Sequence, residues 1–229
     1  MSRDRMVLSF NEERHGKFTI PGYPEDESRE IEEALRQPMY LHSGWTLWTQ
    51  NSGQYAVQKV VAFETAQEFW KVWNGVPQPS ELFDSKRFIK ETTNGTGVAG
   101  VDGFMIFRNA IKPEWEDPAN AKGGHFQILV KPTSGGGTLD EWWNNLVLGM
   151  IGETIECSHR INGVRLLDKM GSSKGKVLDN VRLEIWYHGS TTHDEGQQLR
   201  KSLEKCLITQ LDGTLGPAFK PDMMTDKRH

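Results

Sequence analysis

Residues 181–188 read Val-Arg-Leu-Glu-Ile-Trp-Tyr-His and carry a clear strand signal, because apolar and polar residues alternate. The two faces of such a strand carry different sets, Leu183, Ile185 and Tyr187 on one and Arg182, Glu184 and Trp186 on the other. We expect the first set to meet helices and the second to lie on an open face. An arginine and a tryptophan four residues apart suit a phosphate and a base. The alternative is an exposed strand held by its own salt bridges.

Other strand and helix signals surround this octapeptide. Strands are predicted at residues 45–48, 55–63, 104–107, 125–131, 154–161 and 163–169. Helical spacing and Thr-x-x-Glu capping boxes predict helices that begin near residues 65, 138 and 192, and residues 78–103 are predicted to be a loop. Strands in meander order with helices between them indicate an α+β fold, in which a curved, largely antiparallel sheet carries the helices on one face.

Composition and charge indicate one globular domain behind a polar arm. The 229 residues carry a formal net charge of -4, which argues against binding nucleic acid through bulk charge. Residues 1–38 are polar and rich in Glu and Arg, so we predict a flexible N-terminal arm. Residues 39–229 are predicted to form a single domain.

The cysteines and the apolar runs bear on the compartment. Cys157 and Cys206 form no C-x-x-C pair, which excludes a cysteine-based zinc site and a disulfide framework and fits a reducing compartment. The sequence shows neither the apolar run of a signal peptide nor a stretch long enough to span a bilayer. We therefore expect a cytoplasmic protein. We also expect a monomer that holds neither a metal nor a cofactor.

Tryptophan is the compositional outlier, with 8 copies. A buried indole N–H needs a partner, so we assign about half of the tryptophans to the core and the rest to aromatic surfaces. The helix that begins near residue 65 carries two overlapping apolar stripes, one of Phe69, Val72, Trp73 and Val76 and the other of Ala66, Trp70 and Trp73. One helix rarely needs both stripes for one core.

Trp115 and Glu116 stand in a proline-rich loop between two predicted strands. A carboxylate can accept both donors on the Watson–Crick edge of guanine, N1–H and the N2 amino group, as it does from arginine. The adjacent ring can stack on the base, and methylation at N7 makes the base cationic, which adds a cation–π contribution. The pair is therefore a candidate site for a methylated guanine.

A local basic cluster lies beside the octapeptide. Lys169, Lys174 and Lys176 flank the predicted hairpin that leads into it, and Arg182 lies within it. In a weakly acidic protein this cluster suits a chain of phosphates. Lysines also occur at ordinary turns, so the cluster alone is weak evidence.

Three familiar motifs are not interpreted as active sites. Residues 95–100 match G-x-G-x-x-G, but a strand rather than a helix is predicted to follow. Residues 171–175 match G-x-S-x-G, but they are predicted to form a hairpin tip. His193, Asp194 and Glu195 stand at a helix start, where capping and the helix dipole explain them.

These features together resemble the eukaryotic translation initiation factor 4E family of cap-binding proteins, from about residue 45 to the end. The specific blocks are Gly44-Trp45-x-Leu47-Trp48, Phe63-Glu64-Thr65-x-x-Glu68-Phe69-Trp70, Ile111-Lys112-Pro113-x-Trp115-Glu116-Asp117, Lys122-Gly123-Gly124, Ile151-Gly152-Glu153 and Ile185-Trp186. The resemblance implies eight curved antiparallel strands with three helices on the convex face and a cap-binding slot on the concave face.

The resemblance also implies a set of cap-binding residues. Those for the base are Tyr55, Trp115, Glu116 and Trp186, and those for the phosphates are Lys169, Lys174, Lys176 and Arg182. Trp115 and Tyr55 would stack on the base, Glu116 would read its edge, and Trp186 would lie near the N7 methyl group. His125 replaces a basic residue of the family, which predicts weaker phosphate binding at neutral pH.

A partner surface is implied on the convex face at Ala66, Trp70 and Leu148. There a helical peptide with a Tyr and a Leu-plus-apolar motif would dock, from a 4G-type scaffold or a 4E-binding repressor. The apolar–acidic pair that the family usually has after the tryptophan of the second helix is Asn144-Asn145 here.

The implied function is that of an RNA-binding initiation factor, which recruits capped mRNA to translation initiation through a 4G-type scaffold. Such a factor would serve protein biosynthesis and translation regulation. One alternative is a cap-binding translational repressor or storage protein. Another, from a different class, is a nucleotide or cap phosphohydrolase. We expect no enzyme, because the sequence shows neither clustered carboxylates for a metal nor an activated nucleophile.

Overall fold

Antiparallel strands form one curved sheet in the described part of the chain. The computed structural model describes residues 33, 37–53, 56–91, 97–173, 176–189, 193–210 and 212–229. The strands in this part are β1 (Tyr40–Asn51), β2 (Val57–Thr65), β3 (Phe88–Glu91), β4 (Val98–Arg108), β5 (Gly124–Val130), β6 (Ile161–Ser173), β7 (Lys176–Tyr187) and β8 (Met224–Arg228). Their order is β2-β1-β4-β6-β7-β5-β8, and β3 also pairs with β4. The predicted α+β architecture is confirmed.

The described residues also form helices. The α-helices are α1 (Ala66–Trp73), α2 (Gly136–Ile151) and α3 (His193–Ile208), and short 3-10 helices span Pro79–Asp84, Pro132–Ser134, Ser158–Arg160 and Pro221–Met223. The buried apolar side chains of the three α-helices share one core with one face of the sheet. No helix in this part of the chain is both long enough and apolar enough to cross a membrane.

The chain divides into two units, Met1–Met39 and Tyr40–His229. Most of the first unit, and with it most of the predicted arm over residues 1–38, lies outside the described residues. The sheet and its helices belong to the second unit.

The start of α1 follows the sequence prediction. The hydroxyl of Thr65 accepts from the backbone N–H of Glu68 at 3.2 Å, and the Glu68 carboxylate accepts from the backbone N–H of Thr65 at 3.2 Å. This reciprocal capping box satisfies N–H groups that the first turn leaves without helical partners. Phe69 and Trp73 are buried on the side of α1 that faces the sheet.

Three element predictions were wrong. Residues 78–103 are not a loop, because they contain a 3-10 helix, β3 and the first part of β4, and the pairing of β3 with β4 supplies order that a local pattern does not show. Residues 154–161 are not a strand, because Cys157 turns the chain with a φ of 65°. The capping box at the start of α2 does not form, because the helix already begins at Gly136, two residues before Thr138.

The octapeptide lies in β7, and its faces divide as predicted. Leu183, Ile185 and Tyr187 are buried in the core on the helix side. Trp186 points to the opposite side, which we call the open face, where a second apolar cluster consists of Trp48, Met105, Phe107, Leu167 and Trp186. Trp186 shares this face with Arg182, as expected, but its side chain is 0% exposed and therefore not accessible on the surface.

More tryptophans are buried than expected. Those in the core are Trp45, Trp48, Trp73, Trp142, Trp143 and Trp186. Trp73, which was assigned to both stripes of α1, is buried and lies 5.7 Å from the ring of Phe69 and 5.8 Å from that of Trp143. Trp70 and Trp115 remain exposed and are the tryptophans available to a partner or a ligand.

Candidate ligand-binding site on the open face

The loop between β4 and β5 presents Trp115 and Glu116 and is held by side chains beneath it. Asp117 accepts from two backbone N–H groups of this loop, at 2.9 Å each. The buried Asn120 donates to two of its carbonyls, at 2.7 and 2.9 Å. Asn162 on β6 donates to Asn120 Oδ1 at 2.9 Å, which ties the loop to the sheet. The backbone of this loop is therefore pre-organised.

Sequence reasoning missed Asp117 and Asn120. The signal was present, because Asp and Asn in a loop of this kind commonly hydrogen bond to nearby backbone groups. Their contribution is indirect, since they hold the backbone of the loop that carries Trp115 and Glu116.

Both side chains at the tip of the loop are accessible. Trp115 is 62% exposed, and Glu116 is also exposed. No described residue hydrogen bonds to Glu116 or forms an ion pair with it. An aromatic face and a carboxylate thus stand side by side, and the carboxylate can accept two hydrogen bonds from a ligand.

A cluster of charged residues lies on the open face beside Trp186. Glu184 is at its centre, with its carboxylate 3.3 Å from Arg165 Nη1 and 3.5 Å from Arg182 Nη1. The indole N–H of Trp186 donates to the same carboxylate at 3.0 Å. The Arg165 guanidinium lies over the ring of Trp186, 5.1 Å from its centre. Lys169 lies on the same face, on β6, two residues after Leu167, which pairs with Arg182.

The charges of this cluster shape one another. Burial raises the pKa of Glu184, but the positive charge of Arg165 and the other groups around it outweigh burial and hold the pKa below its usual value. Burial lowers the pKa of Lys169, and the charge of Arg182 adds to this effect. Arginine stays protonated even where burial lowers its pKa, as it does at Arg165. Cationic side chains therefore outnumber the single central carboxylate.

Two donors in this cluster have no acceptor. Arg165 Nε and Arg182 Nε are buried and have no hydrogen-bond partner among the described residues. A buried N–H group without a partner is costly, and an anionic oxygen would satisfy it. These orphaned donors indicate a site for an anion on the open face.

Arg165 is the residue of this charged cluster that sequence reasoning missed. Arg165 and Lys169 have the same parity on β6, so strand alternation alone would have placed them on one face. Its position opposite Glu184 depends on the register between β6 and β7. That register was not available from a single sequence.

Two histidine rings cover Trp186. The ring of His125 stacks on it with centroids 5.6 Å apart, and the ring of His229 lies 4.4 Å from it. Burial lowers the pKa of His125, while the charge of Glu184 opposes this change. His125 is therefore uncharged at neutral pH, so it contributes no positive charge to the face.

The remaining predicted site residues are placed in part. Tyr55 and Lys174 lie outside the described residues. Lys176 begins β7, but its side chain is not described. Lys169 and Arg182 lie on the same face as Trp186, as the alternation of the two strands requires.

The predicted partner surface lies on the helical side. Trp70 on α1 is 47% exposed and Leu148 on α2 is 37% exposed, while Ala66 is half-buried. Exposed large apolar side chains on helices suit an amphipathic partner helix. Leu148 also lines a cavity of about 490 Å³ between α2 and α3.

The Asn144-Asn145 pair makes contacts within the protein. Asn145 donates to the carbonyls of Leu207 and Thr209 at 3.3 and 2.7 Å, where α3 ends. Asn144 donates to the side chain of Gln78 at 3.1 Å. Asn145 thus satisfies carbonyls at a helix C-terminus, which gives this departure from the family pattern a structural reason.

The structure describes parts of the three familiar motifs. Val98, Ala99 and Gly100 of the G-x-G-x-x-G match lie within β4, so the loop expected there is wrong for these residues, and the match leads into a strand rather than a helix. Gly171, Ser172 and Ser173 of the G-x-S-x-G match lie at the end of β6, which pairs with β7 up to Ser173 and Lys176, and the last two residues of the match lie outside the described residues. Glu195 forms an ion pair with Arg160. Among the described residues, no group of three His, Cys, Asp or Glu side chains could hold a metal ion.

A model of the family described as eukaryotic initiation factor 4E matches residues 40–228. The chain belongs to the eukaryotic initiation factor 4E family. This initiation factor 4E chain is 34% identical to eukaryotic translation initiation factor 4E of Saccharomyces cerevisiae over 142 residues, which cover 58% of each chain. The match thus spans little more than half the length of the yeast relative. Eukaryotic translation initiation factor 4E-1 of Zea mays is 31% identical over 179 residues, covering 71% of this chain and 69% of the relative.

Solved structures show the same fold as this family member. Ascaris suum eIF4E-3 in complex with an m7G cap superposes with a TM-score of 0.57 at 21% identity, covering 82% of this chain and 98% of that chain. C. elegans eIF4E-3 in complex with the 4E-binding protein Mextli superposes with a TM-score of 0.57 at 20% identity, covering 75% and 87%.

Proposed function

We propose that this protein binds the 7-methylguanosine cap of mRNA and is not an enzyme. The observation that carries this proposal is the exposed Trp115–Glu116 pair on a braced loop, beside a basic face with unsatisfied donors. Membership of the initiation factor 4E family supports it. So does the fold shared with Ascaris suum eIF4E-3, which was solved with an m7G cap.

The base would be recognised at the tip of the loop. The indole of Trp115 stacks on the purine, and the Glu116 carboxylate accepts from N1–H and the N2 amino group. Methylation at N7 gives the ring a positive charge, which strengthens stacking through a cation–π interaction. Trp186 would meet the methyl group, and Tyr55 is the candidate for the second stacking ring.

The phosphates would lie along the open face. Arg165 and Arg182 offer their unsatisfied Nε–H groups, and Lys169 adds a third positive charge. Lys174 and Lys176 follow in the same hairpin and would extend the path of the phosphates. Glu184 reduces the net positive charge of this cluster. The cluster therefore favours binding of a short chain of phosphates over nonspecific binding of RNA.

The test is a tryptophan fluorescence titration with 7-methyl-GTP and with GTP. The methylated nucleotide should quench the emission and bind about 5- to 30-fold more tightly, as a cation–π contribution of about 1–2 kcal/mol requires. The two ligands have the same phosphates, so each serves as the control for the other. Equal affinities would contradict recognition of the cap.

We also propose that the protein serves translation initiation by binding a 4G-type scaffold or a 4E-binding repressor at Trp70. The exposed indole on α1 and the exposed Leu148 on α2 support this proposal. The fold shared with C. elegans eIF4E-3, which was solved with a 4E-binding protein, is consistent with it. A role as a cap-binding repressor or storage protein would use the same cap site and differ in its partner.

Replacing Trp70 by Ala should weaken binding of a helical peptide that carries the Tyr and Leu-plus-apolar motif by about 2 kcal/mol or more, as expected when a central aromatic residue of an interface is removed. Isothermal titration with the synthetic peptide measures this loss. Leu215→Ala removes another exposed large apolar side chain and should leave the affinity unchanged. Equal binding by the wild type and the Trp70 variant would place the partner elsewhere.

A further inference from the structure

The ring of His229 lies beside the rings of both Trp115 and Trp186. It lies nearly parallel to Trp115, with centroids 5.9 Å apart and planes inclined by 11°. It is 4.4 Å from the ring of Trp186 at 58°. Trp186 is fully buried, and the rings of His229 and His125 are among the groups that cover it.

Several hydrogen bonds hold His229 in this position. Its backbone N–H donates to the Gly123 carbonyl at 3.2 Å. Its Nδ1 lies 3.2 Å from the Asn120 carbonyl, which can only accept, so Nδ1 carries the proton. Its Nε2 lies 3.0 Å from His125 Nδ1, within hydrogen-bond distance. Two of these partners, Asn120 and His125, belong to the loop and the face that form the proposed cap site.

A purine and the His229 ring cannot share this space. Two aromatic planes in contact are about 3.5 Å apart, so a base inserted between Trp115 and His229 would need those rings about 7 Å apart. The centroids of the two nearly parallel rings are only 5.9 Å apart. A base on the other face of Trp115 would have the indole between it and Trp186. A base that contacts both tryptophans must therefore displace His229.

We propose that the His229 side chain is an internal competitor for the cap, stacked where the methylated base must lie. This inference rests on the proposed cap-binding function and concerns the regulation of that site. The free protein divides between a closed form, with the imidazole on Trp115, and an open form that accepts the base. The apparent affinity for the cap is lower than the intrinsic affinity by the fraction of open protein.

The fold allows His229 to leave without unfolding. β8 is the last strand in the sheet order and pairs with β5 alone among the described strands. It is anchored by the buried side chain of Met224 and by the Tyr187 hydroxyl, which donates to Asp226 at 2.5 Å. His229 lies beyond these anchors and beyond the end of β8, so a rotation of its side chain empties the slot while β8 stays paired.

Titration of the intact chain with 7-methyl-GTP tests the proposal on matched variants. His229→Ala removes the ring and should bind the nucleotide about 3- to 10-fold more tightly than the wild type, because the closed form is lost. His229→Phe keeps a flat ring against Trp115 and should bind no more tightly than the wild type. Asp222→Ala, exposed on the same segment before β8, is the control and should match the wild type.

An NMR titration of the wild type provides a second measurement that requires no variant. The imidazole signals of His229 should move to the shifts of an exposed histidine as 7-methyl-GTP saturates the protein. Signals that remain at their stacked positions would overturn the proposal.

The outcomes separate this proposal from the proposed function. If the wild type prefers 7-methyl-GTP to GTP but His229→Ala binds it equally or more weakly, the internal competitor is wrong and cap binding stands. If neither the wild type nor His229→Ala prefers the methylated nucleotide, cap binding fails and the competitor fails with it. Tighter binding by His229→Ala, without a gain for His229→Phe, supports both.

Discussion

Replacing Glu116 by Ala should weaken binding of 7-methyl-GTP by about 2–5 kcal/mol, which is a factor of about 30 to 5,000 in the dissociation constant. In the complex the Glu116 carboxylate would accept two hydrogen bonds from the guanine edge. Once the base is stacked on Trp115, water has poor access to those two donors. The variant would leave both donors without a partner in the complex, so it should lose more than one ordinary hydrogen bond contributes.

Two matched variants separate hydrogen bonding from charge. Glu116→Gln keeps the shape and one acceptor oxygen but brings an amide donor against the guanine edge, so its loss should approach that of the alanine variant. Glu114→Ala removes a carboxylate two residues away in the same loop and should cost less than about 1 kcal/mol. Isothermal titration measures all three. Normal binding by Glu116→Ala would show that this carboxylate does not read the base.

The sequence patterns correctly predicted those parts of the fold that depend on interactions between residues close in sequence. The alternation in residues 181–188 identified which side chains of β7 meet the helices, because a strand has a period of two. The Thr65 capping box fixed the start of α1, since its donors and acceptors lie within four residues. Trp115 and Glu116 were recognisable as neighbours in a loop, and the structure leaves both exposed.

Features of the fold that depend on long-range contacts could not be predicted from the sequence. Trp186 was expected on an open surface, but it is covered by His125 from β5 and by His229, which follows β8. Residues 88–91 form a strand because β4 pairs with them, although their own pattern is too short to predict one. The strand expected at residues 154–161 does not form, because the chain turns at Cys157, which has a positive φ. The local pattern of apolar residues does not indicate this turn.

The residues on the open face show how register creates a site. Arg165 lies opposite Glu184 because β6 and β7 pair in one register, and a shift by one residue would move Arg165 to the helix side. The burial of these groups follows from the same pairing. The charges along β6 and β7 could therefore indicate the face that these residues share, but not the burial of Arg165 against Glu184 and Trp186.

Replacing Arg165 by Met should lower the free energy of unfolding by about 3 kcal/mol. Removing one partner of a buried ion pair commonly costs about 3–5 kcal/mol, because the other charge remains buried. The side chain of Glu184 is 5% exposed, and the charge of Arg165 is the strongest of the effects that hold its pKa below the usual value. The variant would therefore leave a buried carboxyl group without its closest cation. Arg182 and the Trp186 indole still contact it, which places the loss at the lower end of that range.

The same substitution should weaken binding of 7-methyl-GTP more than binding of 7-methylguanosine, because Arg165 is proposed to contact the phosphates and not the base. Chemical denaturation measures the stability, and titration with the two ligands measures the difference in binding. Arg182→Met is the matched control for stability: its side chain is 33% exposed and lies 3.5 Å from Glu184, so the loss should be below about 1 kcal/mol.

The double variant Arg165→Met/Glu184→Gln tests whether the unpaired carboxylate of Glu184 causes the loss of stability in Arg165→Met. Neutralising Glu184 removes the uncompensated carboxylate, so the double variant should regain about 1–3 kcal/mol of the stability lost by Arg165→Met alone. No recovery would mean that Arg165 stabilises the open face through its packing on Trp186 rather than through Glu184. A single variant as stable as the wild type would show that the ion pair contributes little to stability.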